Sequence, residues 1–550
     1  MKRPSLTSIQ LSMLVTAFVL STANATFWMK AWTYFEEFPG ALAGFAVAIF
    51  LLGASLLTMF SMKYVIKPVF IVFVLIAAVS SYYVDTFGIV VDRDMIRNAL
   101  ETTAAEAGAL VTPNFIVHMV VYGLLPAVFI AWVRIRHRAV LAKARWNTAL
   151  ILPSVLVVLG IVFLNLSVFA ATFRNHRDLM ASLNPASAIV GVGKVIDRHF
   201  QNRNQILTKL GEDARSTPRG NRARPKVLVL VAGETARARN FGLLGYERDT
   251  NPELSKRDVI AFSNVSSCGT ATAVSLPCMF SVYSRDDYSE TKGKWTENLL
   301  DVLGHAGIET LWLDNNTGSK GVADRTVYEF LPDTADPSFC EDGECRDDVL
   351  ANRLKEVLAG VKNDTVIVLH QIGSHGPAYF RRYGEEARHF EPDCRTPQLA
   401  DCTSQELVNA YDNTIVQTDR NLGQIIDRLR EQSDRIDAAM IYVSDHGESL
   451  GESGLYLHAA PYFMAPKEQT HVPMIAWFSE AFAKDDGLDQ SCIEARRVEP
   501  LSHDNLFHSV LGLMSVMTKV YDPALDFSVS CRETGPGAGS AQPQDEEPGA

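Results

Sequence analysis

The chain has 550 residues, a formal net charge of −12 at pH 7 and eight cysteines. This length accommodates more than one domain, and the acidic balance, together with the lack of any nucleic-acid-binding motif, argues against a nucleic-acid partner. Residues 1–173 are strongly apolar and contain no cysteine, whereas the remainder is mixed in composition and holds all eight. The sequence therefore predicts two unlike halves.

Five uncharged stretches come first. Most reach the roughly 20 residues that cross a bilayer as a helix, the third being at the short end of that range. Five such runs predict a five-span transmembrane domain over residues 1–173 rather than buried core helices. The first run is too long for the apolar region of a signal peptide, so we interpret it as an uncleaved anchor. The stretches are residues 6–29, 40–62, 68–84, 115–133 and 147–173.

The charges between the stretches predict the orientation. With the N-terminus in the cytoplasm, nine Lys and Arg residues lie inside and three lie outside, the latter being Lys30, Arg93 and Arg97. Cytoplasmic segments are enriched in these cations, so we expect a cytoplasmic N-terminus and place everything after Phe173 outside. An even number of cysteines in that part indicates disulfides and an oxidising compartment on the same side.

The cysteines form three close pairs, and two further cysteines remain as a fourth pair. None of them shows the Cys-x2-Cys spacing of a zinc ribbon. Spacing does not fix the connectivity, but nearest neighbours predict four disulfides: Cys268 with Cys278, Cys340 with Cys345, Cys394 with Cys402, and Cys492 with Cys531.

Three segments outside the spans have patterns of their own. In the loop over residues 85–114, Asn98, Thr102 and Glu106 recur every four residues and would form one polar stripe on a helix, which by itself indicates a solvated face. Residues 174–224 combine an interfacial bridging helix, expected over 174–204 with cations near lipid phosphates, and a linker. Residues 533–550 have a composition typical of disorder.

Residues 225–532 alternate short apolar runs with helical patterns. The runs predict strands over residues 227–231, 310–313, 365–369, 438–443 and 473–478, and the intervening patterns predict helices such as 346–358 and 406–429. This order predicts an α/β domain whose parallel sheet is covered on both faces.

Polar side chains follow four of these strands, where sites of such folds collect. Adjacent Asp445 and His446 offer the oxygen and nitrogen ligands that suit zinc, and His458 and His471 add ligand types. Four polar strand ends on one edge predict a metal site rather than four ordinary turns. The ends carry Glu234, the segment from Asp314 to Lys320, the segment from His370 to His375, and the pair Asp445 and His446.

The segment between Cys268 and Cys278 supplies three hydroxyl groups, on Thr270, Thr272 and Ser275. A helix beginning there would direct backbone N–H groups at an anion. A metal beside cations suggests phosphate chemistry, in which a side-chain nucleophile allows a group to be transferred. These arguments do not identify which of the three hydroxyls is the nucleophile. They also leave open the alternative that the segment is an ordinary helix cap.

These motifs resemble those of the zinc-dependent phosphoethanolamine transferases of the Gram-negative inner membrane, which include the lipid A-modifying and mobile colistin resistance enzymes. The resemblance covers nearly the whole chain: five spans, an outside loop, a bridging helix and an alkaline-phosphatase-like (sulfatase-like) domain. The motifs are Gly233-Glu-Thr-Ala-Arg237, Gly245-Tyr-Glu-Arg-Asp-Thr250, the segments over residues 268–281 and 315–321, His370-Gln-Ile-Gly-Ser-His375 with its continuation to Tyr379, and Ser444-Asp-His-Gly-Glu448 with its continuation to Glu452.

The resemblance implies roles for particular residues. One zinc ion would be bound tightly by Glu234, Thr272, Asp445 and His446, and Thr272 would be the nucleophile that becomes phosphoethanolamine-modified. His375 and His458 would line the phosphate site and can bind a second metal. Phosphate contacts would come from Asn316, Thr317 and Lys320. The loop positions near the ethanolamine match Asn98, Thr102 and Glu106, which favours a substrate role for the polar stripe.

The implied reaction is a ping-pong transfer at the outer face of the inner membrane, by a monomer with a periplasmic catalytic domain. Phosphatidylethanolamine would be the donor, diacylglycerol the first product and lipid A the acceptor, which implies resistance to cationic polymyxins. A membrane-anchored phosphatase or sulfatase and a glycerol-phosphate polymerase are alternatives, as is an envelope binding protein with a dead site. The five spans favour lipid substrates, and the full set of ligand-type residues favours an enzyme.

Overall fold

The computed structural model describes residues 3–101, 104–201, 205–217, 224–341 and 343–532. Its N-terminal part is helical. The helices are α1 (Ser8–Thr22), α2 (Ala25–Tyr34), α3 (Pro39–Met59), α4 (Ile66–Phe87), α5 (Arg93–Glu101), α6 (Ala104–Leu110), α7 (Pro113–Trp132), α8 (Val140–Leu164), α9 (Leu166–Asn175), α10 (Arg177–Ala181) and α11 (Ala186–Gln201).

Within the described ranges, four helices are long and apolar enough to cross a membrane, namely α3, α4, α7 and α8. A fifth span results if α1 and α2, which are bent by 73° relative to each other, cross together. The predicted anchor over residues 6–29 is therefore not one straight helix. At the bend, buried Asn24 accepts from the Asn184 N–H at 2.9 Å and donates to the Asn184 carbonyl at 3.0 Å, as a buried amide requires.

The segment after the last span is also broken more often than expected. The predicted span over residues 147–173 is divided into α8, which ends at Leu164, and α9. The helices α10 and α11 follow in place of the single interfacial helix expected over residues 174–204. Asp178 in α10 accepts from Tyr34 at 2.8 Å and pairs with Lys30 at 3.0 Å, both in α2. These contacts hold the segment against the bent first pair.

A sheet of eight strands, counted within the described residues, organises the C-terminal domain. The strands are β1 (Lys226–Gly233), β2 (Ile260–Ser266), β3 (Glu309–Asp314), β4 (Val327–Phe330), β5 (Thr365–His370), β6 (Asp437–Ser444), β7 (His471–Phe478) and β8 (Leu501–Ser502). Their order in the sheet is β8-β2-β7-β6-β1-β5-β3-β4.

The sheet is mixed rather than parallel. The five strands from β6 to β4 in the sheet order are parallel, but β7 runs antiparallel to both β6 and β2. The prediction of a wholly parallel sheet is wrong at β7, because an apolar run reads the same in either direction. The strands β2, β4 and β8 are additions to the five predicted ones.

Helices cover both faces of this sheet. Along β1, Val227, Val229 and Val231 enter one apolar core, whereas Leu228, Leu230 and Ala232 enter the other. A strand that is apolar at every position is required when both faces are buried. The helices are α12 (Thr272–Met279), α13 (Glu290–Trp295), α14 (Leu299–His305), α15 (Asp348–Gly360), α16 (Ser404–Arg430), α17 (Lys467–Thr470), α18 (Glu480–Asp485), α19 (Gln490–Ala495) and α20 (Asp504–Leu513).

The two predicted helices over residues 346–358 and 406–429 are found as α15 and α16. The start of α16 is fixed by a capping box, in which Thr403 accepts from the Glu406 N–H and the Glu406 side chain accepts from the Thr403 N–H. The described cysteines pair as their nearest neighbours predict, giving the disulfides Cys268–Cys278, Cys340–Cys345, Cys394–Cys402 and Cys492–Cys531.

The membrane helices contact the C-terminal domain directly. Gly88 ends α4 in the left-handed conformation, with φ +71°, and a Cβ there would lie 2.6 Å from the Gly454 carbonyl oxygen. Only glycine meets both demands. The helix α5 packs on α11, where a Cβ on Gly191 would lie 2.6 Å from Ile96. The loop after α4 is therefore held against the rest of the chain.

Candidate active site

Three buried ligand-type side chains meet at one edge of the sheet. Glu234 follows β1, and Asp445 and His446 follow the neighbouring strand β6, whose Ser444 lies in register with Gly233. Each side chain is essentially inaccessible to solvent, and their ligand atoms lie within 4.8 Å of one another. Parallel β1 and β6 thus bring together residues that are more than 200 positions apart along the chain.

This cluster fits a divalent metal. Among the described residues, none donates a hydrogen bond to Oε1 of Glu234 or to Oδ2 of Asp445. Buried carboxylate oxygens without partners are costly unless a cation neutralises them. Two carboxylates and one imidazole form a donor set that zinc accepts.

The electrostatics of the cluster agree with this assignment. Burial raises the pKa of both Glu234 and Asp445, and the charge of Asp445 raises that of Glu234 further. Burial, followed by the neighbouring His458, lowers the pKa of His446 well below its usual value, which favours the neutral imidazole. Its Nδ1 lies 2.9 Å from the Gly447 carbonyl oxygen and donates to it. The lone pair of Nε2 therefore points at the two carboxylates, 3.4 and 3.5 Å away.

The structure distinguishes the three hydroxyl groups that the sequence leaves equivalent. Thr272, the first residue of α12, donates from Oγ1 to Glu234 Oε2 at 2.9 Å and lies 3.4 Å from His446 Nε2. Thr270 donates instead to the Ala460 carbonyl at 2.6 Å, and Ser275 donates to the Asp445 main-chain oxygen. Of the three, Thr272 is the one whose hydroxyl faces the carboxylate and imidazole ligands.

Sequence analysis missed His503, which holds this segment in place. Its Nδ1 accepts from the Cys268 N–H at 3.1 Å, and its Nε2 donates to the Ser444 carbonyl at 2.9 Å. Burial lowers its pKa to about 4, in keeping with a neutral ring that accepts at Nδ1. His503 is 235 residues from Cys268 along the chain, so no local sequence pattern predicts this contact.

Two further histidines extend the cluster. The His458 ring centroid lies 4.7 Å from that of His446 and 5.3 Å from that of His375. Burial, followed by the neighbouring His458, lowers the pKa of His375 well below its usual value. Buried Glu448, which sequence analysis also missed although it lies inside the 444–452 motif, places Oε2 3.5 Å from His458 Nδ1. The imidazoles of His375 and His458 thus lie beside the metal-type cluster.

A mostly apolar cavity of 420 Å³ reaches these two histidines. Its walls include Tyr83 and Phe87 from the membrane span α4, Asn98 from the loop helix α5, and Pro377. The cavity therefore connects the end of a membrane span with the candidate site. Of the predicted loop residues, Asn98 lines it, and the side chains of Thr102 and Glu106 lie outside the described residues.

The remaining predicted residues take two different positions. Asn316 donates from Nδ2 to Glu234 Oε2 at 2.8 Å and to the Gln371 carbonyl at 2.9 Å, so it holds the Glu234 carboxylate in place. Thr317 and Lys320 line a second cavity, of 450 Å³, whose wall includes α5. His471, expected to add a ligand type, instead donates to the Ser263 carbonyl at 2.8 Å.

The membrane helices, the central sheet and a hydroxyl facing a metal-type cluster are features of a membrane-bound enzyme with an α/β catalytic domain. Comparison with known families gives the same class, because residues 226–516 match the family described as Sulfatase. Residues 49–200 match the family described as Phosphoethanolamine transferase EptA/EptB.

Individual relatives match over most of the chain. Phosphoethanolamine transferase EptA of Escherichia coli strain K12 is 42% identical over 479 residues, covering 86% of this chain and 87% of that protein. Phosphatidylethanolamine transferase Mcr-1 of Escherichia coli is 38% identical over 515 residues, covering 91% and 94%. The solved integral membrane lipooligosaccharide phosphoethanolamine transferase A of Neisseria meningitidis superposes with a TM-score of 0.92 at 37% identity, covering 96% and 100%.

The chain therefore belongs to the phosphoethanolamine transferase family and is a membrane-bound enzyme of that class. The resemblance seen in the motifs is confirmed. So is the fold of membrane helices followed by an alkaline-phosphatase-like domain.

Proposed function

We propose that this protein transfers phosphoethanolamine from phosphatidylethanolamine to lipid A through a covalent intermediate on Thr272. The observation that carries the proposal is the hydroxyl of Thr272, which contacts Glu234 and His446 while the neighbouring hydroxyls are bound to main-chain oxygens. The donor is supported by the name of Mcr-1, a phosphatidylethanolamine transferase. The acceptor is supported by a more distant relative, 25% identical, named Kdo(2)-lipid A phosphoethanolamine 7''-transferase.

Glu234, Asp445 and His446, with Thr272, are the residues that would hold one zinc ion tightly. Zinc bound there would lower the pKa of a neighbouring oxygen nucleophile and stabilise negative charge on the phosphoryl group. His375 and His458 can hold a second metal. The protein's own contribution is to fix the Nε2 lone pair of His446 through its Nδ1 contact with Gly447, and to fix Glu234 through Asn316.

In the first half-reaction, Thr272 Oγ1 attacks the phosphorus of the donor, and the bond between phosphorus and the glycerol oxygen breaks. The hydroxyl proton leaves along the existing hydrogen bond to Glu234 Oε2, 2.9 Å away. The leaving glycerol oxygen takes a proton from His375 or His458, and diacylglycerol departs. Both imidazoles reach the apolar cavity, so they lie where the leaving group enters the lipid-facing side.

In the second half-reaction, a phosphate oxygen or hydroxyl of lipid A attacks the phosphorus carried by Thr272. The bond between phosphorus and Oγ1 breaks, and Oγ1 takes back the proton held by Glu234. The proton of an attacking hydroxyl passes to the histidine that protonated the glycerol oxygen; a phosphate oxygen brings no proton, and that histidine is then reprotonated from water. Thr317 and Lys320, which line the 450 Å³ cavity, would contact the phosphoryl oxygens in both steps. A positively charged ethanolamine added to lipid A weakens the attraction of the surface for cationic polymyxins, so we expect resistance to them.

The donor fits the cavity between α4 and the histidines. Its apolar walls suit the acyl and glycerol parts of a lipid, while Asn98 offers a polar contact near the head group. We propose that Thr102 and Glu106 complete that contact, with the Glu106 carboxylate near the ammonium. We further propose that the enzyme is a monomer, with a cytoplasmic N-terminus and a periplasmic catalytic domain.

The test is to incubate the full-length protein, in lipid bilayers, with phosphatidylethanolamine and to map the adduct by peptide mass spectrometry. One phosphoethanolamine on the peptide carrying Thr272, located on Thr272 itself, is the expected result. An adduct on Thr270 or Ser275 would contradict the nucleophile. Addition of lipid A should discharge the adduct and yield modified lipid A; discharge to free phosphoethanolamine alone would instead indicate a hydrolase.

A further inference from the structure

The ammonium of Lys320 is held inside the protein. The side chain is only 5% exposed, and its backbone takes the left-handed conformation, with φ +51°. Non-glycine residues hold such a conformation only where the surroundings enforce it, as happens at functional sites. Lys320 donates from Nζ to the Thr317 carbonyl at 3.0 Å. A carbonyl offers only a partial charge, and a buried ammonium requires an anion.

That anion comes from the membrane half of the chain. Glu101, the last residue of α5, places Oε2 3.7 Å from Lys320 Nζ. The same carboxylate accepts from Arg97 Nε through Oε1 at 2.8 Å. Glu101 is not one of the polar stripe residues Asn98, Thr102 and Glu106, and it lines the 450 Å³ cavity with Lys320 rather than the apolar cavity.

The pair continues into a chain of alternating charges. Arg97 places Nη1 3.6 Å from Glu290 Oε1 in α13, and Arg198 in α11 places Nε 4.0 Å from Glu290 Oε2. The order Lys320, Glu101, Arg97, Glu290, Arg198 therefore passes from the catalytic domain to the membrane loop, back to the catalytic domain and on to the bridging helix. The Lys320–Glu101 and Arg97–Glu290 contacts fix α5 against the catalytic domain, and the Glu290–Arg198 contact ties that domain to α11.

We propose that Glu101 is a positioning residue that holds Lys320 in place for the donor phosphate, and that it can do so only while α5 is docked on the catalytic domain. This inference rests on the proposed function. Loss of the Glu101 carboxylate leaves the Lys320 ammonium buried without its anion, so the side chain turns away and the phosphate loses a cation. The membrane loop would thus contribute to the reaction through the cavity that Glu101 and Lys320 line, separate from the cavity proposed for the ethanolamine.

A double-mutant cycle on the full-length protein in phosphatidylethanolamine-containing bilayers tests the proposal. We expect Glu101→Gln to lower kcat/KM for the donor by about tenfold, since it removes the anion beside the buried Lys320 ammonium, and Glu101→Asp to restore part of the loss. Lys320→Ala should lower it further, and adding Glu101→Gln to Lys320→Ala should change it no more. Losses that multiply in the double variant would show that Glu101 acts independently of Lys320 and would overturn the proposal.

A matched control is available on the same helix. Asp94 also belongs to α5, but its carboxylate pairs with Arg93 on that helix. Asp94→Asn makes the same change of charge and should leave kcat/KM within about twofold of the wild type, as surface substitutions do. A loss in Asp94→Asn equal to that in Glu101→Gln would mean that the loop's overall charge, rather than the contact with Lys320, is responsible.

A second readout does not depend on transfer. Hydrogen exchange of the α5 amides reports whether the helix stays docked. We expect Glu101→Gln and Lys320→Ala each to speed this exchange several-fold, and Asp94→Asn to leave it unchanged. Absence of product from the wild type would refute the proposed function. The exchange measurement would still test the contact between Glu101 and Lys320. Exchange at the wild-type rate in both Glu101→Gln and Lys320→Ala would refute the contact, whatever the activity.

Discussion

Oγ1 of Thr272 lies 2.9 Å from Oε2 of Glu234, which joins the first residue of α12 to the residue that follows the central strand β1. Thr270 and Ser275, two and three positions away, direct their hydroxyls to main-chain oxygens of other segments. The same short segment thus carries one hydroxyl that contacts Glu234 and His446 and two that bind the segment to neighbouring main chain.

This division predicts opposite effects of substituting the neighbouring threonines. Thr272→Ala should lower transfer by roughly a thousandfold or more, because it removes the nucleophile, while the protein still folds. Thr270→Ala should keep transfer within about threefold but lower the free energy of unfolding by about 1 kcal/mol, since it removes the donor to the buried Ala460 carbonyl. Initial rates and thermal unfolding of both variants check this; equal loss of activity would contradict it.

Removal of the metal should destabilise the wild type more than a variant that lacks one ligand. A metal at a hundred times its Kd stabilises a protein by about 2.7 kcal/mol, so a chelator should lower Tm and zinc should restore it. In Glu234→Gln, both shifts should shrink, and the metal content measured by mass spectrometry should fall. A full response of Glu234→Gln to zinc would exclude Glu234 as a ligand.

The metal-free protein should also depend on pH in a particular direction. Burial raises the pKa of Glu234 and Asp445 in the folded state, so their contribution to stability is complete at pH values below their unfolded pKa and is lost as the pH rises through the folded values. Glu234→Gln should therefore flatten this decline. Thermal unfolding of chelated wild type and variant between pH 5 and 9 checks the sign, and a rise of stability with pH in the wild type would contradict it.

The loop residue Glu106 should matter for the donor alone. A carboxylate that pairs with the ammonium in a partly desolvated pocket contributes about 1–3 kcal/mol, so Glu106→Ala and Glu106→Gln should each weaken the use of phosphatidylethanolamine by roughly tenfold or more at limiting donor. Metal content and the oxidised cysteines should stay as in the wild type. Unaltered rates in both variants would show that Glu106 lies on a solvated face.

The predicted membrane orientation, which places nine Lys and Arg residues in the cytoplasm and three outside, can be measured with reporter fusions. A phosphatase reporter fused after Gln205 should be active, since this position follows the last span on the periplasmic side. A fusion after Lys63, between α3 and α4, should be inactive and provides the control. Activity in the second fusion without activity in the first would invert the topology.

The parts of the site that the sequence predicts are those carried by local pattern. Glu234, Asp445 and His446 follow long apolar runs. A buried strand that ends on a ligand-type residue can be recognised from the sequence alone. The resemblance then separates Thr272 from its neighbours, which the pattern alone does not. The four parallel strands β6, β1, β5 and β3 bring these ends to one edge, as expected.

What the sequence does not predict depends on contacts between distant segments. The antiparallel direction of β7 follows from its connections, not from its apolar composition. His503 reaches Cys268 from far along the chain, and Glu101 reaches Lys320 from the other half of the molecule. The bend between α1 and α2 depends on Asn184, which no period in residues 6–29 reveals.

Entry of the proposed donor through the apolar cavity beside α4 would make this protein an interfacial catalyst. A donor that enters along a membrane span never passes through bulk water, so its effective concentration is its mole fraction in the leaflet. Diluting phosphatidylethanolamine with an inert lipid therefore slows the enzyme even when the total amount of donor is constant, and the diacylglycerol it releases competes for the same two-dimensional space.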